Sequence, residues 1–154
     1  MKTRLITCAS VAVLLAATAI PVLVVAQQAP RYRLIDLGTF GGPASYFSNG
    51  FDGILNNHGI ATGSANTSTP DPICFVPNCF ATHAFQAKNG TITDLGVLPR
   101  GDVSQAVWVS ANGLIVGFSE NGEFDPLVPG FPEVRGVLWR NGEIVDLGHT
   151  GRRV

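Results

Sequence analysis

Asn89-Gly90-Thr91-Ile92-Thr93-Asp94-Leu95-Gly96 returns 52 residues later as Asn141-Gly142-Glu143-Ile144-Val145-Asp146-Leu147-Gly148. Extended upstream, His83 to Gly96 aligns with Arg135 to Gly148, with six of fourteen positions identical. A third Asp-Leu-Gly stands at Asp36-Leu37-Gly38, 58 residues before the second. Between these, Asn57-His58-Gly59-Ile60-Ala61-Thr62-Gly63-Ser64 answers Ala111-Asn112-Gly113-Leu114-Ile115-Val116-Gly117-Phe118 at an offset of 54. Offsets of 52 to 58 in a constant order describe one unit, repeated with loops of varying length.

Turn chemistry divides each unit into strands. Asn-Gly at 89–90, 112–113 and 141–142 supplies the positive φ that tight hairpins need. In the second copy this gives strands over Gln105 to Ser110, Leu114 to Ser119, Gly136 to Arg140 and Glu143 to Leu147, with a Pro-marked loop at Pro126, Pro129 and Pro132. Tyr32 to Leu37 reads as a lone first strand. Four strands in about 50 residues is the period of a β-propeller blade. Leu114-Ile115-Val116 and Val107-Trp108-Val109 are apolar on both pleat faces, as strands covered on both sides are. The expected fold is therefore all-β, with propeller-like repeats of four-stranded antiparallel sheets. About two blades fit, an incomplete propeller: residues 31–96 form the first repeat, 97–148 the second, and 149–154 a truncated tail. Closed propellers have roughly 4 to 8 blades. A two-blade chain is thus expected to self-associate, form a compact two-sheet arrangement or be marginally stable. It also reads as a fragment of a longer repeat protein.

Composition agrees with this architecture and adds an address. The 154 residues are 45% hydrophobic and 14% charged, with 18 Gly, 10 Pro and 3 Cys. So little charge argues against a disordered chain, and the Gly and Pro content argues against a helical bundle. Lys2 and Arg4 precede an apolar run from Leu5 to Val25, and Val24-Val25-Ala26 ends it with a small residue before Gln27. That is the pattern of a signal peptide over 1–26, cleaved after Ala26. The remaining repeat domain, 27–154, has eight basic and eleven acidic residues, a formal charge of −3. No basic run marks a nucleic-acid partner, and no second apolar span marks a membrane protein after cleavage. A secreted, periplasmic or extracellular location follows.

Cys74 and Cys79 remain after cleavage, bracketing Phe75-Val76-Pro77-Asn78. In an oxidising compartment so close a pair reads as a local disulfide. Adding His83 gives C-x4-C-x3-H, but structural zinc favours four ligands and C-x2-C spacing, so no metal is expected.

The Asp-Leu-Gly motifs have a scaffold reading. Asp94 and Asp146 can accept backbone N–H groups at a strand exit, Leu95 and Leu147 can fill a core, and Gly96 and Gly148 can turn the chain. Recurrence favours this over a catalytic Asp, because one active site needs no three copies. Ser119 lacks the G-x-S-x-G spacing and strand-to-helix setting of a nucleophile. His58 and His149 adjoin turn glycines, and His83 opens a strand. Trp108 and Trp139 read as blade core. Asp102, Glu120, Glu123 and Asp125 leave a two-carboxylate hydrolase or lyase as the alternative. No catalytic residue and no cofactor is assigned.

The chain resembles the HAF family of extracellular repeat proteins. The resemblance rests on His83-Ala84-Phe85, on Asp36-Leu37-Gly38-Thr39-Phe40-Gly41-Gly42, and on Asn56-Asn57-His58-Gly59 leading to Gly63-Ser64. It covers about residues 31–151. In the second copy Arg135-Gly136-Val137-Leu138-Trp139 replaces the name motif, and Pro99-Arg100-Gly101 replaces the Gly-Gly loop. The resemblance implies export and a propeller-like β fold, and no established reaction. The expected function is a non-catalytic binding or cell-envelope module, with a polysaccharide, an envelope protein or a second copy as partner. The loops Asn66 to Thr82 and Asn121 to Val134 are its expected contact surfaces.

The mass of the exported protein should begin the chain at Gln27. Iodoacetamide should label Cys74 and Cys79 only after reduction; labelling without reductant would remove the disulfide.

Overall fold

The structure, a computed structural model, describes residues 31–47, 53–73 and 77–148. The signal-peptide segment, Cys74 and the tail after Gly148 lie outside the described residues. The chain divides into Met1–Leu34 and Ile35–Val154, and both sheets belong to the second unit.

The fold is all-β. β1 (Gly41–Tyr46), β2 (Ala61–Pro70), β3 (Phe80–Lys88) and β4 (Thr91–Asp94) form one antiparallel sheet in sequential order. β5 (Ser104–Val109), β6 (Ile115–Phe124), β7 (Pro132–Arg140) and β8 (Glu143–Asp146) form a second. These are the two propeller-like blades. Asn89 and Gly90 both have positive φ, as do Asn141 and Gly142, the signature of the two-residue hairpin turn read from the sequence.

Register confirms the repeat atom by atom. Asn56 N–H donates to Ile60 O at 2.9 Å, and Ser110 N–H to Leu114 O at 2.8 Å. Leu95 N–H donates to Ala84 O and Leu147 N–H to Gly136 O, both at 2.9 Å. Gly63 and Gly117 hold equivalent places because their strands approach a neighbour too closely for a side chain. A Cβ at Gly63 would strike the Tyr46 carbonyl, and one at Gly117 the Gln105 carbonyl.

Several sequence boundaries move. Residues 31–39 form no strand: Gly38 N–H donates back to Asp36 Oδ1 at 2.9 Å, bending the chain, and Leu37 packs onto the first sheet. β6 runs on to Phe124 through Asn121-Gly122, which reads as a turn but is absorbed as an irregularity between Glu120 and Phe124. β2 and β3 likewise extend to Pro70 and from Phe80, so the two long loops shrink to 71–79 and 125–131.

The core lies between the sheets. Val109, Ile115, Trp139 and Ile144 stand side by side across β5, β6, β7 and β8 and pack with Ala84 and Leu95 of the first repeat and with Leu98 of the crossover. On the far face of the first sheet, Ala65, Phe85 and Ala87 pack with Leu37 and Phe40. Leu37 and Phe40 thus cover the first sheet as Leu95 and Leu98 cover the second. The first two Asp-Leu-Gly exits each lay two apolar side chains on the sheet that follows. Trp139 is 2% exposed, and its Nε1 finds no acceptor among the described residues.

Two buried hydroxyls hold the crossover. Ser104 Oγ accepts from Ala84 N–H at 2.9 Å and donates to Gly96 O at 2.8 Å. Ser119 Oγ accepts from Leu98 N–H at 2.9 Å and donates to Glu120 O at 3.0 Å. Neither amide can remain unpaired in a dry seam without cost. Ser104→Ala and Ser119→Ala should each lower stability by about 1–3 kcal/mol in urea unfolding. Ser45→Ala, at the exposed equivalent of Ser104 in β1, should stay within about 0.5 kcal/mol. Equal effects at all three serines would show that the seam hydroxyls do not hold the crossover.

Candidate functional site

The Asp-Leu-Gly aspartates are turn formers. Asp94 Oδ1 accepts from Gly96 N–H and Asp146 Oδ1 from Gly148 N–H, both at 2.7 Å. Gly38, Gly96 and Gly148 have φ between 72° and 77°. Leu95 packs in the inter-sheet core as expected, but Leu147 is 61% exposed, because no described sheet covers the outer face of the second.

His83 and Asp94 meet: the ring Nδ1 lies 2.8 Å from Asp94 Oδ2. With its other oxygen on Gly96, Asp94 ties β3 to the exit of β4. Phe40 tilts against the His83 ring at 6.5 Å between centroids. Ala84 and Phe85, the two residues that follow His83, are buried on opposite faces of the sheet. In the second repeat Arg135 takes the place of His83, and its Nη2 contacts Glu133 Oε1 at 3.0 Å. His58, the other described histidine, is exposed, and its Nδ1 lies 2.8 Å from Ala111 O. Both imidazoles therefore contact the scaffold.

The acids considered for hydrolysis are dispersed among local tasks. Glu123 pairs with Arg100 at 2.6 Å on the surface. Asp125 Oδ1 accepts from Leu127 N–H at 2.7 Å, and Asp71 Oδ1 accepts from Ile73 N–H at 2.8 Å. Glu120 lies in a cleft of about 190 Å³ with Val103, Gln105, Phe118 and Val134. Burial raises the pKa of its carboxyl, the charges of Asp71 and Asp102 add to that, and the Asp102 and Val103 amides oppose it. The cleft is smaller than the roughly 300–1,000 Å³ of small-molecule sites.

Asp71 and Asp125 are repeat equivalents that the sequence reading passed over. Each closes its loop, Asp71 N–H on Cys79 O at 3.1 Å and Asp125 N–H on Phe131 O at 2.9 Å. The signal was Asp71-Pro72 answered by Asp125-Pro126, 54 residues on. Cys79 is half-buried where that first loop rejoins the sheet. Among the described residues no group of three His, Cys, Asp or Glu is placed to hold a metal ion.

The two ends of the strands differ in charge. The long-loop end carries Asp71, Asp94, Asp102, Glu120, Glu123, Asp125, Glu133 and Asp146, with Arg100 and Arg135 among them. The hairpin end carries Lys88 and Arg140, again repeat equivalents, each just before an Asn-Gly turn, and Glu143, which stands opposite Arg140 in register. One groove there is lined by His58, Ile60, Lys88, Ala111 and Asn112. A larger one, about 410 Å³, is lined by Asn112, Gly113, Leu114, Arg140 and Asn141. Lys88 and Arg140, Ile60 and Leu114, and His58 and Asn112 are matching positions of the two repeats. The grooves thus share three matching positions, the first being completed by Ala111 and Asn112 of the second repeat. Trp108, expected in the core, lies 42% exposed on the open face of the second sheet with its ring against Gly53.

No family model matches the chain, and neither a curated protein nor a solved structure matches it. The likeness to HAF repeats rests on the motif residues.

Glu120 fixes the sign of one pH effect. The folded state holds its proton more tightly than the unfolded chain, so its contribution to stability is greatest at low pH. That contribution is lost as pH rises from the ordinary glutamate range through the raised value. Glu120→Gln should flatten this decline and raise Tm at pH 7 by a few degrees at most, with little change at pH 4. Melting curves across that range check it.

Proposed function

We propose that this chain is an exported, non-catalytic binding module for a cell-envelope polysaccharide carrying anionic groups, held at the hairpin end of the two sheets. The observation that carries the reading is the repeated groove. Each copy offers one cation, Lys88 or Arg140, and one further polar side chain, His58 or Asn112. A polymer with a regular spacing of carboxylate and hydroxyl groups matches a site repeated from sheet to sheet. Acids gathered at the opposite end would orient such a polymer toward the cations. The candidate export segment at 1–26 and the HAF-like motifs agree with an envelope setting. A Cys74–Cys79 disulfide, where formed, would pin the long loop at the far end.

This moves the contact surface from the long loops to the short turns. The loop 125–131 exposes Leu127 and Val128 beside Asp125, a poor complement for an anionic polymer. The engagement of His83, Asp94 and Asp125 in scaffold bonds supports binding over hydrolysis.

Glycan arrays and pull-down on purified anionic polysaccharides, uronate-containing polymers among them, test the proposal. Saturable, salt-sensitive binding is expected, weakened several-fold by Lys88→Gln or Arg140→Gln and by more in the double variant, with unchanged melting. Binding indifferent to both substitutions, or turnover of a polymer, would overturn it.

A further inference from the structure

The outer face of the second sheet has the composition of an interior. Trp108, Val116, Leu138 and Val145 stand opposite one another in register and make one continuous row across all four strands. Phe118 lies in the next row, opposite Gln105 and Gly136, and Val134 in the one beyond, opposite Glu120. Trp108, Phe118, Val134 and Val145 are between 42% and 54% exposed. The opposite face of the same strands, the row Val109, Ile115, Trp139 and Ile144, is the inter-sheet core.

The first sheet reverses this order. At the positions matching Val116, Leu138 and Val145 it carries Thr62, Gln86 and Thr93, which pair in register across β2, β3 and β4. Thr62 is wholly buried there. Of these two matching rows, the one on the first sheet is polar and the one on the second sheet is apolar. A row of Trp, Val, Leu and Val left in water is unfavourable for a lone sheet and marks an interaction surface.

We propose that this face joins two copies of the chain, sheet against sheet, about a two-fold axis. The established seam between the sheets shows that a four-stranded face of this fold is covered by another sheet. Leu147 is held in the same pose as Leu95, by the same backbone bond and Asp-Gly turn, yet only Leu95 has a sheet over it. A head-to-tail stack lacks an acceptor, because Leu37 and Phe40 of the same chain already cover the far face of the first sheet. What the described residues of a second copy offer is the same apolar face, and a face that meets itself closes as a dimer. Four strands about 4.8 Å apart and three side-chain rows make a patch roughly 20 Å on a side. That is about half of the roughly 800 Å² per partner in a standard interface. The dimer should therefore be weak, with Kd on the order of 10–100 μM.

Sedimentation velocity of the purified mature protein from 1 to 300 μM tests this. A reversible monomer–dimer equilibrium is expected, with no larger species. Val145→Lys and Val134→Lys, both at exposed positions, should hold the protein monomeric across the range with unchanged circular dichroism. Should either lysine variant unfold, Val145→Thr, which keeps β-branching, should still weaken the dimer at least 5-fold. A wild-type monomer at 300 μM, oligomers that grow past the dimer, or a dimer indifferent to these substitutions would each overturn the proposal. None of these results bears on polysaccharide binding, which is read at Lys88 and Arg140.

Discussion

The arrangement depends on one crossover, Leu95 to Leu98, which leaves the first sheet and lies on the second. Its apolar side chains need the inter-sheet space, and its backbone must be paired once it enters that space. Ser104 and Ser119 meet that need from the second sheet, one bonding both Ala84 N–H and Gly96 O and the other bonding Leu98 N–H. Burying a leucine is worth about 1.5–3 kcal/mol, and an unpaired amide would cancel much of that. Seam hydroxyls and crossover leucines therefore work as a set. The Asp-Leu-Gly turn aims the crossover, with Asp94 fixing Gly96 on one oxygen and His83 on the other.

At the hairpin end a second set of contacts locks the stacking. Asn56 Nδ2 donates to Ser110 O, and His58 Nδ1 lies against Ala111 O, at sequence separations of 54 and 53. These separations equal the repeat offset within one residue. Asn56 thus touches the backbone of its own counterpart in the next repeat and His58 that of its counterpart's neighbour, which keeps the sheets in register along their strands. The same register brings Lys88 and Arg140 to matching places and makes a repeated groove out of two unremarkable turns. The acids outnumber the cations at the long-loop end, whereas Lys88 and Arg140 outnumber Glu143 at the hairpin end.

Much of this was legible in the residues. Asn89-Gly90 and Asn141-Gly142 announced hairpins because few other pairs accept positive φ at both positions. The spaced glycines of 59 and 63, and of 113 and 117, announced the repeat and its turn, and only the structure shows that Gly63 and Gly117 answer a close approach of backbone. Gly101 shows where the reading fell short. Its setting after Pro99-Arg100 looked like a degenerate loop, yet a Cβ there would strike the Glu120 carbonyl, as one at Gly42 would strike that of Thr67. The motif kept the glycine that contact requires and changed the rest. Asn121-Gly122 misled in the other direction, because the dipeptide marks positive φ and not the kind of irregularity that uses it.

Local chemistry and period were enough to establish an all-β chain of two four-stranded units, since backbone preference and side-chain alternation act within a few residues. They could not show which face of each sheet would be covered. Trp108 and Trp139 stand on β5 and β7, two strands of the same sheet, in similar apolar runs, and one is exposed while the other is buried. Leu95 and Leu147 share a motif, a turn and a backbone bond, and differ in the same way. Burial is a property of what lies opposite a face, and that neighbour comes from residues some fifty positions away. Only the stacking of the sheets could assign it.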